Sequence, residues 1–146
     1  MDYTIVTLKE KIVVGVSAIT GNNDPQMGET IGGLWERLYQ SGINATIKNK
    51  VNEFAIGLYS DYVGDQYCVT AGNEVSKAEN PELTVKIIPA GKYAKFTVYG
   101  HMEKAVADAW EEIWPMELDR SYVGDFEEYL SCDIENCHID IYISLK

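Results

Sequence analysis

The chain has 146 residues, with 23 acidic against 12 basic side chains, a formal net charge of −11 and three cysteines. That length suits one compact domain with a real core, and the charge excludes a phosphate-reading face or an anionic membrane surface as its natural partner. No run approaches the ~20 apolar residues of a membrane span, and an odd number of cysteines is no secreted disulfide framework.

The N-terminus, MDYTIVTLKEK, lacks the basic and apolar regions of a signal peptide, so the expected location is the cytoplasm. Residues 3–9 and 12–20 are rich in β-branched side chains and flank Glu10-Lys11, which predicts a hairpin. Asp24-Pro25 has the form of an N-cap followed by proline at the first helical position. The helix it opens carries Met27, Ile31, Leu34, Trp35 and Leu38 on one face and stops near Gly42. Two strands follow, 54–60 and 66–71, around a turn at 61–65.

The order then repeats. Strands at 84–88 and 92–99 flank Pro89-Ala90-Gly91. A second helix carries Met102, Val106, Ala109, Trp110, Ile113 and Trp114 at helical spacing, and Pro115 ends it. Strands at about 125–131 and 138–145 complete the chain. Met27, Ile31, Leu34, Trp35 and Leu38 superimpose in order on Met102, Val106, Ala109, Trp110 and Ile113. The predicted fold is α+β: a ββαββ unit duplicated in a single domain, with pseudo-repeats at about 1–78 and 79–146. The halves join into one antiparallel sheet with both helices on one face, and a groove on a pseudo-twofold axis between the helices is the expected ligand site.

Familiar catalytic signatures are absent: no G-x-S-x-G, Walker-type loop, G-x-G-x-x-G, H-E-x-x-H or EF-hand pattern occurs. Cys132, Cys137 and His138 could offer ligands to zinc, but only Cys68, His101 and carboxylates remain to complete four, so no metal or cofactor is expected. His138 adjoins Cys137, and strand neighbours point to opposite faces, which disfavours a Cys–His nucleophile. His101, at a helix start, reads as a cap or a surface residue.

The acidic strand is more informative. In Phe126-Glu127-Glu128-Tyr129-Leu130, alternation puts Glu127 and Tyr129 on one face and Phe126, Glu128 and Leu130 on the other. The pattern alone leaves open which face is core. The counterpart in the first half, Phe54 to Tyr59, has no carboxylate, so one half alone supplies charge. Among ten tyrosines, Tyr59 and Tyr129 form a related pair from the repeat, as Trp35 and Trp110 do, and Tyr93 is a weaker candidate.

Helix-borne Trp110 and Trp114, then Pro115, Ser121-Tyr122 and Phe126-Glu127-Glu128-Tyr129, resemble the GyrI-like small-molecule-binding domain. That domain is the effector-binding module of AraC-type and MerR-type multidrug regulators, and it also occurs free-standing. Its tail reads approximately W-[LM]-P, S-x-Y, F-E-x-Y, matched here with a shortened loop, and the resemblance spans essentially the whole chain. It implies that Glu127, beside Tyr129, is the family's buried acidic residue at the bottom of an aromatic-lined groove; Trp110, Tyr129, Tyr59, Trp35 and, more weakly, Tyr93 are the candidate ligand contacts.

The resemblance implies a free-standing binder of cationic or aromatic small molecules or xenobiotics, serving drug resistance or detoxification. A partly desolvated carboxylate binds organic cations strongly, and aromatic faces add to the attraction. Two alternatives follow from the same family. One is a hydrolase opening the strained cyclopropane of a DNA-alkylating natural product, with Glu127 as general base and Tyr129 as its orienter. The other is a gyrase-inhibitor-like protein interaction through the acidic surface. The family's regulators carry a DNA-binding domain ahead of the module. Here the first strand is expected at about residue 3, so no direct role at DNA is expected.

Overall fold

The computed structural model describes residues 1–131 and 133–146, in the element order β1 (Thr4–Leu8), β2 (Lys11–Gly21), α1 (Met27–Tyr39), α2 (Ile43–Thr46), β3 (Lys50–Val63), β4 (Gln66–Val75), β5 (Thr84–Ile88), β6 (Gly91–Gly100), α3 (Met102–Ile113), β7 (Asp125–Tyr129) and β8 (Cys137–Ser144). The strands form one eight-stranded sheet in the order β1-β6-β8-β7-β3-β4-β2-β5. Exchanging each element for its counterpart in the other half reverses that order onto itself, so the duplicated unit and its pseudo-twofold axis are present. The axis passes through the central pair of β3 and β7, where Gly57 faces Glu127.

The predicted hairpin of β1 and β2 does not form. β1 pairs with β6 and β5 pairs with β2, so each half lends its first strand to the other. A two-residue hairpin requires left-handed backbone, usually from Gly or Asn. Lys9 and Glu10 supply none, and neither has positive φ. The two halves are therefore interlocked as well as abutted.

Both helices lie on one face. Leu34 and Leu38 of α1 pack on Val14, Val16, Val69 and Ala71. Ala109, Trp110 and Ile113 of α3 pack on Ala94, Phe96, Ile139, Ile141 and Ile143. The opposite face buries a third cluster of Val13, Ile56, Leu58, Ile88, Tyr93, Phe126 and Tyr142, to which no helix contributes. Val6 and Leu8 of β1 pack against it. Fully burying each such aliphatic or aromatic side chain is worth ~1.5–3 kcal/mol.

Helix boundaries differ from expectation in instructive ways. α1 starts at Met27 with Gln26 as a cap that makes no side-chain bond. The Asp24 carboxylate instead accepts from Thr20 Oγ1 and from the Gln26 amide, each at 2.9 Å, closing a local turn before the helix. Gly42, at φ +76°, does end the segment, and the extra single-turn α2 follows it. β3 and β4 extend well beyond 54–60 and 66–71. α3 ends at Ile113, so Trp114 falls on its C-cap and is 51% exposed rather than part of the buried stripe. His101 caps α3 as expected, its Nδ1 accepting from the amides of Glu103 and Lys104.

Candidate functional site

Strand alternation on β7 sends Asp125, Glu127 and Tyr129 to the helix face and Phe126 to the buried opposite face. Of the two glutamates, Glu127 therefore faces the helices. Glu127, 2% exposed, lies beneath both helices. Glu128 lies beside Asp140 across β7–β8, within the electrostatic reach of Lys11, Glu74 and Lys95.

Three neutral donors hold Glu127. Trp110 Nε1 donates to Oε2 at 2.7 Å and Tyr59 Oη to the same oxygen at 2.8 Å, while Tyr129 Oη donates to Oε1 at 2.7 Å. None of the ion pairs among the described residues includes Glu127. Burial pushes its carboxyl above the usual carboxylate range, and the three hydrogen bonds pull the other way without cancelling that rise. The Tyr59 and Tyr129 hydroxyls are pushed well up, first by burial and then by the Glu127 charge. They stay protonated donors.

The space between the helices is filled by the protein's own rings rather than left as an open groove. A Cβ at Gly57 would lie 3.1 Å from Glu127 Oε1 and 3.2 Å from Trp35 Cζ2, so Trp35 of α1 reaches the floor beside the carboxylate. Trp35 meets Tyr129 edge-on at 5.4 Å and stacks with Tyr39 at 6.3 Å. From the other side Trp110 meets Tyr59 edge-on at 5.6 Å. Trp35, Tyr59, Trp110 and Tyr129 thus converge on Glu127.

Tyr93 does not join them. It is 1% exposed in the cluster on the opposite face, donates to the Pro89 carbonyl at 2.6 Å and meets Phe126 edge-on. Its position on β6 gives it the opposite parity to Ala94 and Phe96, which pack under the helices.

Two groups escaped the sequence reading. Tyr67 continues the aromatic wall, 5.6 Å edge-on from Tyr59, with its hydroxyl donating to Asn22 Oδ1 at 2.7 Å. Asp125, fully buried, accepts from Tyr62 Oη and Arg120 Nη2, both at 2.6 Å, and from the amide and hydroxyl of Ser144. The signal for Asp125 was available: it stands two residues before Glu127 and shares its face.

No group of metal-ligating side chains occurs among the described residues. Cys132 lies outside them, Cys137 is buried, and the His138 ring lies tilted against Tyr99 at 4.6 Å. No helix among the described residues is long and apolar enough to cross a membrane.

A family model described as integron-associated effector binding protein, Cass2, matches residues 4–145. A search of curated proteins finds no sequence match. Among solved structures, SAV2435 bound to tetraphenylphosphonium superimposes with a TM-score of 0.83 at 21% identity, over 100% of this chain and 94% of that one. A putative transcription regulation protein from Staphylococcus aureus MU50 gives 0.82 at 23% identity, over 100% and 99%. The Vibrio cholerae integron cassette protein VCH_CASS2 gives 0.79 at 28% identity, over 99% and 95%. With a family match along nearly its whole length and the GyrI-like fold in full, the chain belongs to the Cass2 family of integron-associated effector-binding proteins.

Proposed function

We propose that the protein binds lipophilic organic cations at Glu127, in a site walled by Trp35, Tyr59, Trp110 and Tyr129. The observation that carries this reading is a carboxylate buried to 2% exposure with neutral donors on both oxygens and no cationic partner among the described residues. Proteins rarely bury an uncompensated charge, because the desolvation penalty is several kcal/mol. A cationic ligand supplies the missing compensation, and each ring face adds ~0.5–2 kcal/mol of cation–π attraction. The family description supports small-molecule effector binding, and the tetraphenylphosphonium held by SAV2435 is a lipophilic cation of the proposed kind. Because the rings fill the space between the helices, entry requires Trp35 or its helix to move. The biological role we assign is sequestration of cationic xenobiotics.

The test is tryptophan fluorescence quenching with tetraphenylphosphonium beside its neutral isostere tetraphenylmethane-type compounds. The cation should bind at least about tenfold more tightly, the equivalent of ~1.4 kcal/mol. Equal binding of both would remove the charge from the account.

A second reading is favoured by one specific feature. Burial raises the proton affinity of Glu127, and Tyr129 orients Oε1, which is what a general base near neutral pH requires. In a hydrolase, Glu127 would take a proton from water as its oxygen attacks a strained ring carbon, with the departing ring carbon protonated afterwards. Many turnovers of a cyclopropane-bearing alkylator to a water adduct, lost in Glu127→Gln, would establish hydrolysis. Intact compound after hours leaves binding alone.

A further inference from the structure

The helix face of β7 carries a second buried carboxylate, which like the first accepts from a tyrosine hydroxyl but also holds the Ser144 amide and hydroxyl and an arginine. Asp125 stands two residues from Glu127 on the same face, about 7 Å away along the strand. Like Glu127 it is buried and takes a tyrosine hydroxyl, that of Tyr62 at 2.6 Å. The two sites are joined by rings: Tyr67 lies 5.6 Å from Tyr59 and 5.8 Å from Tyr62. At Asp125, however, a cation is already present. Arg120 Nη2 is 2.6 Å from Oδ2, and the guanidinium carbon sits 4.2 Å from the Tyr122 ring centre. Tyr122 in turn meets Tyr62 edge-on at 5.6 Å. The Arg120 side chain is 14% exposed, and its Nε is buried without a hydrogen-bond partner.

This is the arrangement of a cation box: a buried carboxylate, a tyrosine hydroxyl on it, and an aromatic face over the charge. We infer that Arg120 occupies a second cation box built from Asp125, Tyr62 and Tyr122, and thereby sets the ligand charge at one. Arg120 is then a specificity-determining residue. It leaves Glu127 as the single uncompensated charge on the floor, so a second positive centre on a ligand meets a neutralised carboxylate and a guanidinium. The inference rests on the proposed cation site at Glu127. A purely structural role for Arg120, tying the 115–124 segment to the sheet end, would affect stability without affecting charge preference.

The experiment compares two probes of nearly the same shape by calorimetry: N-methyl-4-phenylpyridinium, a monocation, and methyl viologen, whose two charges are separated by roughly the two-residue strand spacing of ~7 Å. Wild type should bind the two within about threefold, or favour the monocation. Arg120→Gln should move the ratio toward methyl viologen by about tenfold, the gain from one charge-assisted contact. Arg120→Gln combined with Asp125→Asn should return the ratio to the wild-type value. A wild-type preference of tenfold or more for methyl viologen overturns the inference, and so does a folded Arg120→Gln protein with an unchanged ratio. Since breaking a buried pair can prevent folding, the wild-type ratio can overturn the inference even where Arg120→Gln does not fold, and Arg120→Lys, which keeps a cation on Asp125, should hold the wild-type ratio. Glu127→Gln is run in parallel and should weaken both probes together. If it weakens neither, the cation site at Glu127 falls, and the inference falls with it for that separate reason.

Discussion

Gly57 and Glu127 face each other across the pseudo-twofold axis, and the absence of a side chain on one makes room for the carboxylate of the other. The duplication supplied the same position twice. One copy became the charge and the other became space for that charge and for Trp35. Gly57→Ala would place a methyl group 3.1 Å from Glu127 Oε1 and 3.2 Å from Trp35 Cζ2. Overpacking of this kind costs ~1–3 kcal/mol. Urea denaturation should show that loss, and Trp35 fluorescence should shift as the ring is displaced.

The pH dependence follows from the direction of the Glu127 shift. Its folded pKa is raised, so the folded state holds that proton more tightly than the unfolded chain, whose glutamate titrates near ~4.3. The associated stability is fully present below that value and is lost as pH rises through the folded pKa. Glu127→Gln removes the titration, so the mutant should gain stability relative to wild type as pH increases. Tetraphenylphosphonium affinity should run the opposite way in wild type, rising with pH through the same window, and should be flat in the mutant. Denaturation and titration series run upward in pH from the ordinary glutamate range read both.

Trp110→Phe keeps most of the ring volume and removes one of the three donors to the carboxylate. Because that hydrogen bond lowers the Glu127 pKa, its loss should raise it further. The midpoint of the pH dependence of cation binding should move upward. An unchanged midpoint would mean that the indole N–H contributes nothing to the charged form.

α1 carries Gly28, Gly32 and Gly33 in its interior, and a Cβ at any of them would have no neighbour within 4 Å. Each glycine costs roughly 0.5–1 kcal/mol relative to alanine in a helix. Replacing all three by alanine should therefore raise Tm without a clash. Trp35 on this helix covers Glu127, so the stiffened helix should also admit tetraphenylphosphonium more slowly in stopped-flow quenching. A faster or unchanged rate would show that entry does not involve α1.

The sequence carried the architecture because its signals were strong and redundant. Amphipathic spacing marked α1 and α3, proline marked the end of α3, and the matched tryptophans exposed the duplication. It did not carry the strand exchange, because pairing between β1 and β6 is decided by long-range packing that local composition does not encode. The Asp24-Pro25 start failed for a local reason, the aspartate closing its own turn instead of capping α1. At the site, period-two alternation grouped Glu127 with Tyr129, but which face is buried became clear only from the fold. Tyr93 was misplaced because many tyrosines share strand propensity, and only register separates the two faces of a curled sheet. Arg120 and Asp125 were overlooked because a basic residue in a loop and an acid at a strand start look like ordinary surface charge.

The most direct test of the account is isothermal calorimetry of tetraphenylphosphonium with wild type and Glu127→Gln at neutral pH, beside a neutral isostere. The account predicts that the substitution weakens the cation by about ten- to a hundredfold, ~1.4–2.8 kcal/mol, and leaves the neutral compound nearly unchanged. Equal cation affinity in a folded Glu127→Gln protein would contradict it, and the buried carboxylate would then be a structural element of the sheet rather than the floor of a binding site.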